Sequence, residues 1–216
     1  MDYSISTNEK QKILEKRISY DDLKKWNALP TLLATKEHLD TRKSVYLGIN
    51  NIFDEETFLK WIGLKNPHSF TVAEVLQTTI HPHFKCWLLF RQELIPPAIM
   101  GYWGLGMCRK ILSKTNATNQ DYRYDYLLQI KQAWLRHEVS LGNLMHATRK
   151  AKTIYEDSYM TGNESVQTEA YALYAAMQED PVTSYRMLFD AMSWTAENIS
   201  EVYSDILQII SNSLQS

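Results

Sequence analysis

Apolar positions recur every three or four residues along most of this chain, the period of helices that bury one face. After a polar lead-in over residues 1–30, Leu32 to Asn51 and Glu55 to Leu64 read as helices, the second opened by Asp54 with acids in its first turn. Thr71 and Glu74 stand at capping-box spacing and open another helix, which Pro82 ends while starting the next. From His83 to Ile95 and from Pro97 to Ser113 the chain is apolar nearly all round, as in helices at the centre of a bundle, with Pro96 and Pro97 at the joint. Asn119 can cap a helix running through His137, with a stripe of Tyr126, Leu127, Ile130, Ala133, Trp134 and His137. Ser140 caps its successor, where Val139 and Leu144 have the spacing of a hydrophobic staple and the stripe is Leu141, Met145, Thr148, Lys152 and Tyr155. Asn163 starts a helix carrying Val166, Ala170, Leu173, Tyr174 and Met177.

Asp180 followed by Pro181 is a strong start for the last helix. Tyr185, Leu188, Phe189, Met192, Ala196, Ile199, Tyr203, Ile206 and Ile210 keep one stripe there for about seven turns, and Asn198 is where the run can bend. On a wheel of about 100° per residue, Leu188, Met192, Tyr203, Ile206 and Ile210 fall within roughly 40° of Ile199. Asp190, Glu197, Glu201 and Asp205 fall on the opposite side, and Trp194 lies among them. A large aromatic on a face otherwise meant for water has the composition of an interface hot spot, and the carboxylates around it would steer a basic partner. Asp190, Trp194, Glu197, Glu201 and Asp205 are therefore the candidate partner-binding residues. The plainer alternative is an amphipathic helix with its acids outward and Trp194 covered by the amino-terminal segment or by a second copy.

Together these elements predict an all-α fold: one domain over residues 1–216, with a bundle of about eight helices over 31–216 built from stacked antiparallel hairpins. A chain of 216 residues with 44% apolar and 22% charged side chains is ordinary for a globular protein, and seven Gly and six Pro are too few for a turn-dense β-sandwich. Met1 to Lys16 has no apolar core of a secretory signal. The uncharged stretch Leu94 to Cys108 falls short of the roughly 18 residues that cross a bilayer and is interrupted by Pro and Gly. The expectation is a cytoplasmic protein with no membrane partner. Cys86 and Cys108 read as buried thiols in a reducing compartment, and Trp103 and Trp134 as buried aromatics.

Charge changes the picture more than composition does. The net −2 conceals a division: from Glu156 onward ten acids face Arg186 alone, about −9, leaving about +7 on the residues before. Such asymmetry either orients a charged partner or brings the two halves together. Lys10, Lys12, Lys16, Arg17, Lys24 and Lys25 raise nucleic-acid binding, but Glu9, Glu15, Asp21 and Asp22 are interleaved with them, the pattern of a solvated mixed surface.

Catalytic and metal motifs fare poorly. His137-Glu138 begins like a zinc-protease helix, yet the second His would fall at Leu141. His81 and His83 flank Pro82 without a further ligand at convincing spacing. Asp121 and Asp125 lie one turn apart, but at a helix start, where the backbone dipole favours acids, and beside Arg123. A phosphate-cradling Gly loop, a nucleophile elbow and paired Cys ligands are all missing. Neither a cofactor nor a metal is expected.

Three segments in order carry a family resemblance. The buried run Pro97-Pro-Ala-Ile-Met-Gly-Tyr-Trp-Gly-Leu-Gly-Met-Cys-Arg-Lys-Ile-Leu112 is followed by Asp121-Tyr-Arg123 and then by Ile130-Lys-Gln-Ala-Trp-Leu-Arg-His-Glu-Val-Ser140. This order resembles the all-helical immunity proteins of bacterial polymorphic-toxin systems, the immunity five-like group, over residues 97–160. In that group a Gly usually precedes the Glu of the last motif, where this chain has His137. The stretch Glu169-Ala-Tyr-Ala-Leu-Tyr-Ala-Ala176 is similar in kind to the Ala-rich helices that follow. The resemblance implies a cytoplasmic, non-enzymatic protein that binds and neutralises a cognate toxin domain, such as a basic nuclease. A helical scaffold or regulatory interaction module unrelated to toxins is the alternative, and self-association into a homo-oligomer is open in either case.

Overall fold

The computed structural model describes residues 6–26, 69–78, 82–115 and 122–215. They form ten α-helices, one short 3-10 turn and one two-stranded sheet, so the fold is predominantly all-α, as the helical period predicts. The helices expected over Leu32 to Asn51 and Glu55 to Leu64, the Asn119 cap, Asp121 and His81 lie outside the described residues. No helix among the described residues is long and apolar enough to cross a membrane. The chain divides into two compact units, Met1–Leu94 with Ser211–Ser216, and Ile95–Ile210.

In the first unit residues 6–26 of the polar lead-in are structured. Ser6 and Glu9 close a capping box on α1 (Thr7–Leu14), and the chain continues through β1 (Arg17–Ser19) into α2 (Tyr20–Lys25). β1 pairs antiparallel with β2 (Ser69–Thr71) so that Ile18 faces Phe70, both fully buried. Thr71 then makes the predicted box with Glu74: its hydroxyl accepts from the Glu74 N–H at 3.2 Å, and the Glu74 carboxylate accepts from the Thr71 N–H at 2.7 Å. The helix it opens, α3 (Val72–Gln77), stops well short of Pro82, which begins α4 (Pro82–Leu89). α4 gives way to a turn before Ile95 rather than running through it, with the Leu94 N–H donating to the Arg91 carbonyl. Several cations of this unit are committed to backbone carbonyls. Lys85, 9% exposed, donates to the Leu76 and Thr78 carbonyls at the end of α3. Lys16 reaches those of Glu93 and Leu94, and Arg91 that of Trp26.

The second unit is built on α5 (Pro97–Lys114) and α8 (Glu164–Ala176), each packed on several neighbours. α5 buries Ile99, Met100, Trp103, Met107, Cys108 and Ile111. Its glycines let other helices come close. A Cβ at Gly106 would lie 2.8 Å from Ile209 Cγ2, and one at Gly104 3.2 Å from Ser184 Oγ. Cys86 and Cys108 form no disulfide and are both fully buried, as expected.

α6 (Tyr122–Leu135) and α7 (Leu141–Ser158) correct the predicted stripes. α6 buries Tyr124, Leu127, Leu128, Lys131 and Leu135, a clean helical stripe that includes a lysine; Tyr126 is 55% exposed and Trp134 only half-buried. α7 buries Leu144, Ala147, Ala151 and Ser158, while Leu141 and Met145 face outward. Ser140 caps α7 as predicted, accepting from the Asn143 N–H at 3.3 Å. The end of α6 is a Schellman closure: the Glu138 N–H donates to the Ala133 carbonyl and the His137 N–H to that of Trp134, with His137 at φ 60°. His137 thus takes the left-handed conformation that glycine occupies most easily.

α9 (Pro181–Thr195) and α10 (Ile199–Gln215) replace the single long helix. Ala196 is extended, and Asn198 caps the restart by accepting from the Glu201 N–H at 3.0 Å. The Glu201 carboxylate in turn accepts from the Glu197 N–H at 2.9 Å. Asn198 and Glu201 therefore act much as a capping box does, ending one helix and starting another although the apolar stripe never lapses.

Candidate functional site

Four helix ends of the second unit meet around an open cleft of about 470 Å³, within the range of ligand pockets. Lys114 and Thr115 come from the end of α5, and Tyr155 and Tyr159 from the end of α7 and the turn after it. The start of α8 supplies Glu164, Ser165, Gln167 and Thr168, and the end of α9 supplies Trp194 and Thr195. Asn163 positions the α8 wall: its side-chain oxygen accepts from the Ser165 and Val166 N–H groups at 3.0 and 3.3 Å. Gly162, at φ 63°, turns the chain into that cap.

The aromatic wall is continuous. Tyr155 packs on Tyr159 and on Tyr171, each at 5.1 Å between ring centroids, and Tyr171 packs on Trp194 at 4.9 Å. The hydroxyls of Tyr155 and Tyr159 are hydrogen-bonded to each other. Burial, that hydrogen bond and the neighbouring phenols push Tyr155 up to about 12, so it stays neutral at physiological pH. Trp194 and Tyr159 are each 56% exposed and Met160 is 90% exposed.

The five candidate residues separate into two groups. Trp194 lines the cleft and is exposed. Asp190 is exposed on α9, and partial burial raises its pKa; Glu197 is exposed in the break. Glu201 and Asp205 are instead turned onto α5. Lys114 Nζ contacts Glu201 Oε1 at 2.5 Å and Asp205 Oδ2 at 2.8 Å, and Lys110 lies 3.3 Å from Asp205 Oδ1. Burial pulls the Lys114 pKa down, but the hydrogen bonds to Asp205 and Glu201 outweigh it and hold the ammonium above its ordinary range. The single-wheel arrangement does not hold: the helix breaks at Ala196, and Glu201 and Asp205 pair with basic side chains of α5.

Two buried charges of the second unit escaped the sequence reading. Lys131 is 1% exposed; its Nζ donates to the Gln178 carbonyl at 2.6 Å and sits 4.5 Å from the centroid of the Trp134 ring. Glu169 is 5% exposed with Oε1 lacking a hydrogen-bond partner, and it is not among the residues that line the cleft. The signal for Lys131 was its position, three and four residues from Leu128 and Leu135 on the true stripe. Among the described residues no group of three or more His, Cys, Asp or Glu is placed to hold a metal ion.

No protein-family model, curated protein or solved structure matches this chain. The arrangement itself offers aromatic faces, hydrogen-bonding side chains and an open mouth, which suit recognition of a protruding group.

Proposed function

We propose that this chain is a binding protein of the immunity class, acting in the cytoplasm by occupying and blocking a cognate toxin domain without catalysis. The observation that supports it best is the exposure of Tyr159 and Trp194 at an aromatic-walled cleft, with the exposed Met160 next to Tyr159 in the chain. Large apolar side chains left in water around a concavity are the composition of an interface core, and the exposed acids Asp190 and Glu197 on the same region suit a basic partner.

The test is co-expression with the product of a neighbouring gene that ends in a toxin domain, scored by growth and by co-purification. The chain should rescue growth and pull the toxin down. Trp194→Ala should weaken the complex about thirtyfold, as loss of a hot spot does, with the helical spectrum unchanged. Absence of rescue and of co-purification would reject the reading. The alternative, a scaffold or regulatory module, draws support from a second set of exposed apolar side chains, Tyr122 and Tyr126 on α6 and Leu141 and Met145 on α7. A partner lost in Tyr126→Ala/Met145→Ala and kept in Trp194→Ala would favour it.

A further inference from the structure

The cleft brings flat aromatic faces and hydrogen-bond acceptors to one place. Its lysine is already held: Lys114 lies between Glu201 and Asp205, so its positive charge is matched before any ligand arrives. Glu164, the carboxylate that lines the cleft, makes no ion pair with Lys114 and stands exposed at the first position of α8.

An anion is disfavoured there. The amides at the start of α8 already donate to Asn163, Glu164 would repel a negative group, and Lys114 is neutralised. A quaternary ammonium would use only the aromatic faces, leaving Glu164, Gln167 and Thr168 stripped of water with no donor in return. A guanidinium satisfies both parts of the wall, since it is planar, stacks on aromatic rings and carries five N–H donors.

We propose that the cleft receives an arginine side chain from a basic segment of the partner protein, its plane stacked on Trp194 and Tyr159 and its N–H groups donating to Glu164 and Thr168. This deepens the toxin-binding reading and rests on it for the identity of the partner. The charge of the region agrees: Glu164 lines the cleft, and Asp190 and Glu197, near Trp194 in the chain, are exposed acids. Within the cleft, recognition is local and does not require Glu201 or Asp205 to leave Lys114.

The test uses the full chain, ¹⁵N-labelled, with the Trp194 indole N–H assigned by its loss in Trp194→Phe. Three probes are titrated at matched ionic strength: acetyl-Gly-Arg-Gly-amide, the same peptide with neutral citrulline in place of Arg, and tetramethylammonium chloride. The arginine peptide should shift the indole signal saturably at millimolar concentration. Citrulline and tetramethylammonium should each bind at least about tenfold more weakly, and Glu164→Gln should weaken arginine binding by a similar factor, the size of one charge-assisted contact. The remaining amide signals of Glu164→Gln report that it is folded. No saturable shift, equal response to citrulline, tighter binding of tetramethylammonium or indifference to Glu164→Gln would each overturn the assignment. Since the peptide titration needs no toxin, its failure removes the arginine site alone. Failure of co-expression rescue alongside a positive titration removes the toxin and keeps the site.

Discussion

Replacing Lys131 with Met should flatten the dependence of stability on alkaline pH. Burial lowers the Lys131 pKa to about 8 from its ordinary 10.5, with Glu179 and Asp180 opposing the shift. Below pH 8 the ammonium is charged in folded and unfolded chains alike, and the fold bears the full cost of burying it. Between pH 8 and 10.5 the unfolded chain binds more protons, so stability climbs; above that the lysine is neutral in both states. At about 1.4 kcal/mol per pH unit of separation, the cost at neutral pH is about 3 kcal/mol, and about 2 kcal/mol of it is recovered between pH 7 and 9.5. For a chain of this length that is a rise of roughly 4–8 °C in melting temperature. Lys131→Met keeps the bulk and removes the proton. It also leaves the Gln178 carbonyl without Nζ, a cost of about 1–3 kcal/mol that does not vary with pH. The informative quantity is therefore the difference between the wild-type and Lys131→Met profiles, in which all other titrations cancel. Urea denaturation at several pH values gives it directly. Parallel profiles would show that Lys131 does not titrate in this window and would refute the argument.

Two further substitutions test the geometry elsewhere. His137→Gly should raise stability by about 1 kcal/mol, because it removes a Cβ from a left-handed residue while leaving the Schellman hydrogen bonds in place; a lower melting temperature would contradict the assigned closure. Gly106→Ala should lower stability by about 1–2 kcal/mol despite alanine's better helix propensity, since its Cβ meets the stiff β-branched Ile209 at 2.8 Å; calorimetry showing a gain would mean that α10 shifts away freely.

The parts of the fold that were legible in the sequence are those decided locally. Thr71 with Glu74, Ser140, Asn163 and Asp180 before Pro181 all cap helices as their spacing predicts, because a cap depends on three or four consecutive residues. The stripes of α6 and α7 were misplaced by about one position for a different reason. A periodicity reading favours apolar residues, and here the buried face holds Lys131 and Ser158 while Tyr126, Leu141 and Met145 stay in water. What rescues Lys131 is a carbonyl 47 residues away, which no window on the sequence includes. Asn198 was visible as a place to bend, but the uninterrupted stripe concealed a full break, beyond which Glu201 and Asp205 pair with basic side chains of α5. Trp194 could be singled out alone. The cleft beside it could not, since its walls come from four helix ends and Tyr155 reads in the sequence as one more position of the α7 stripe.

The closure of α8 has a bearing on how the second unit assembles. Asn163 finishes the amino-terminal end of that helix from within, whereas the carbonyls just past its carboxyl end are met by other helices: Thr148 of α7 donates to the Met177 carbonyl at 2.8 Å and Lys131 of α6 to that of Gln178. An excised peptide spanning α8 should hold its first turns and fray from Ala176 backward. In the intact chain the amide protons of that last turn should exchange with solvent at the rate at which α6 and α7 open, making the three helices one cooperative foldon whose seam is read in deuterium rather than in side-chain chemistry.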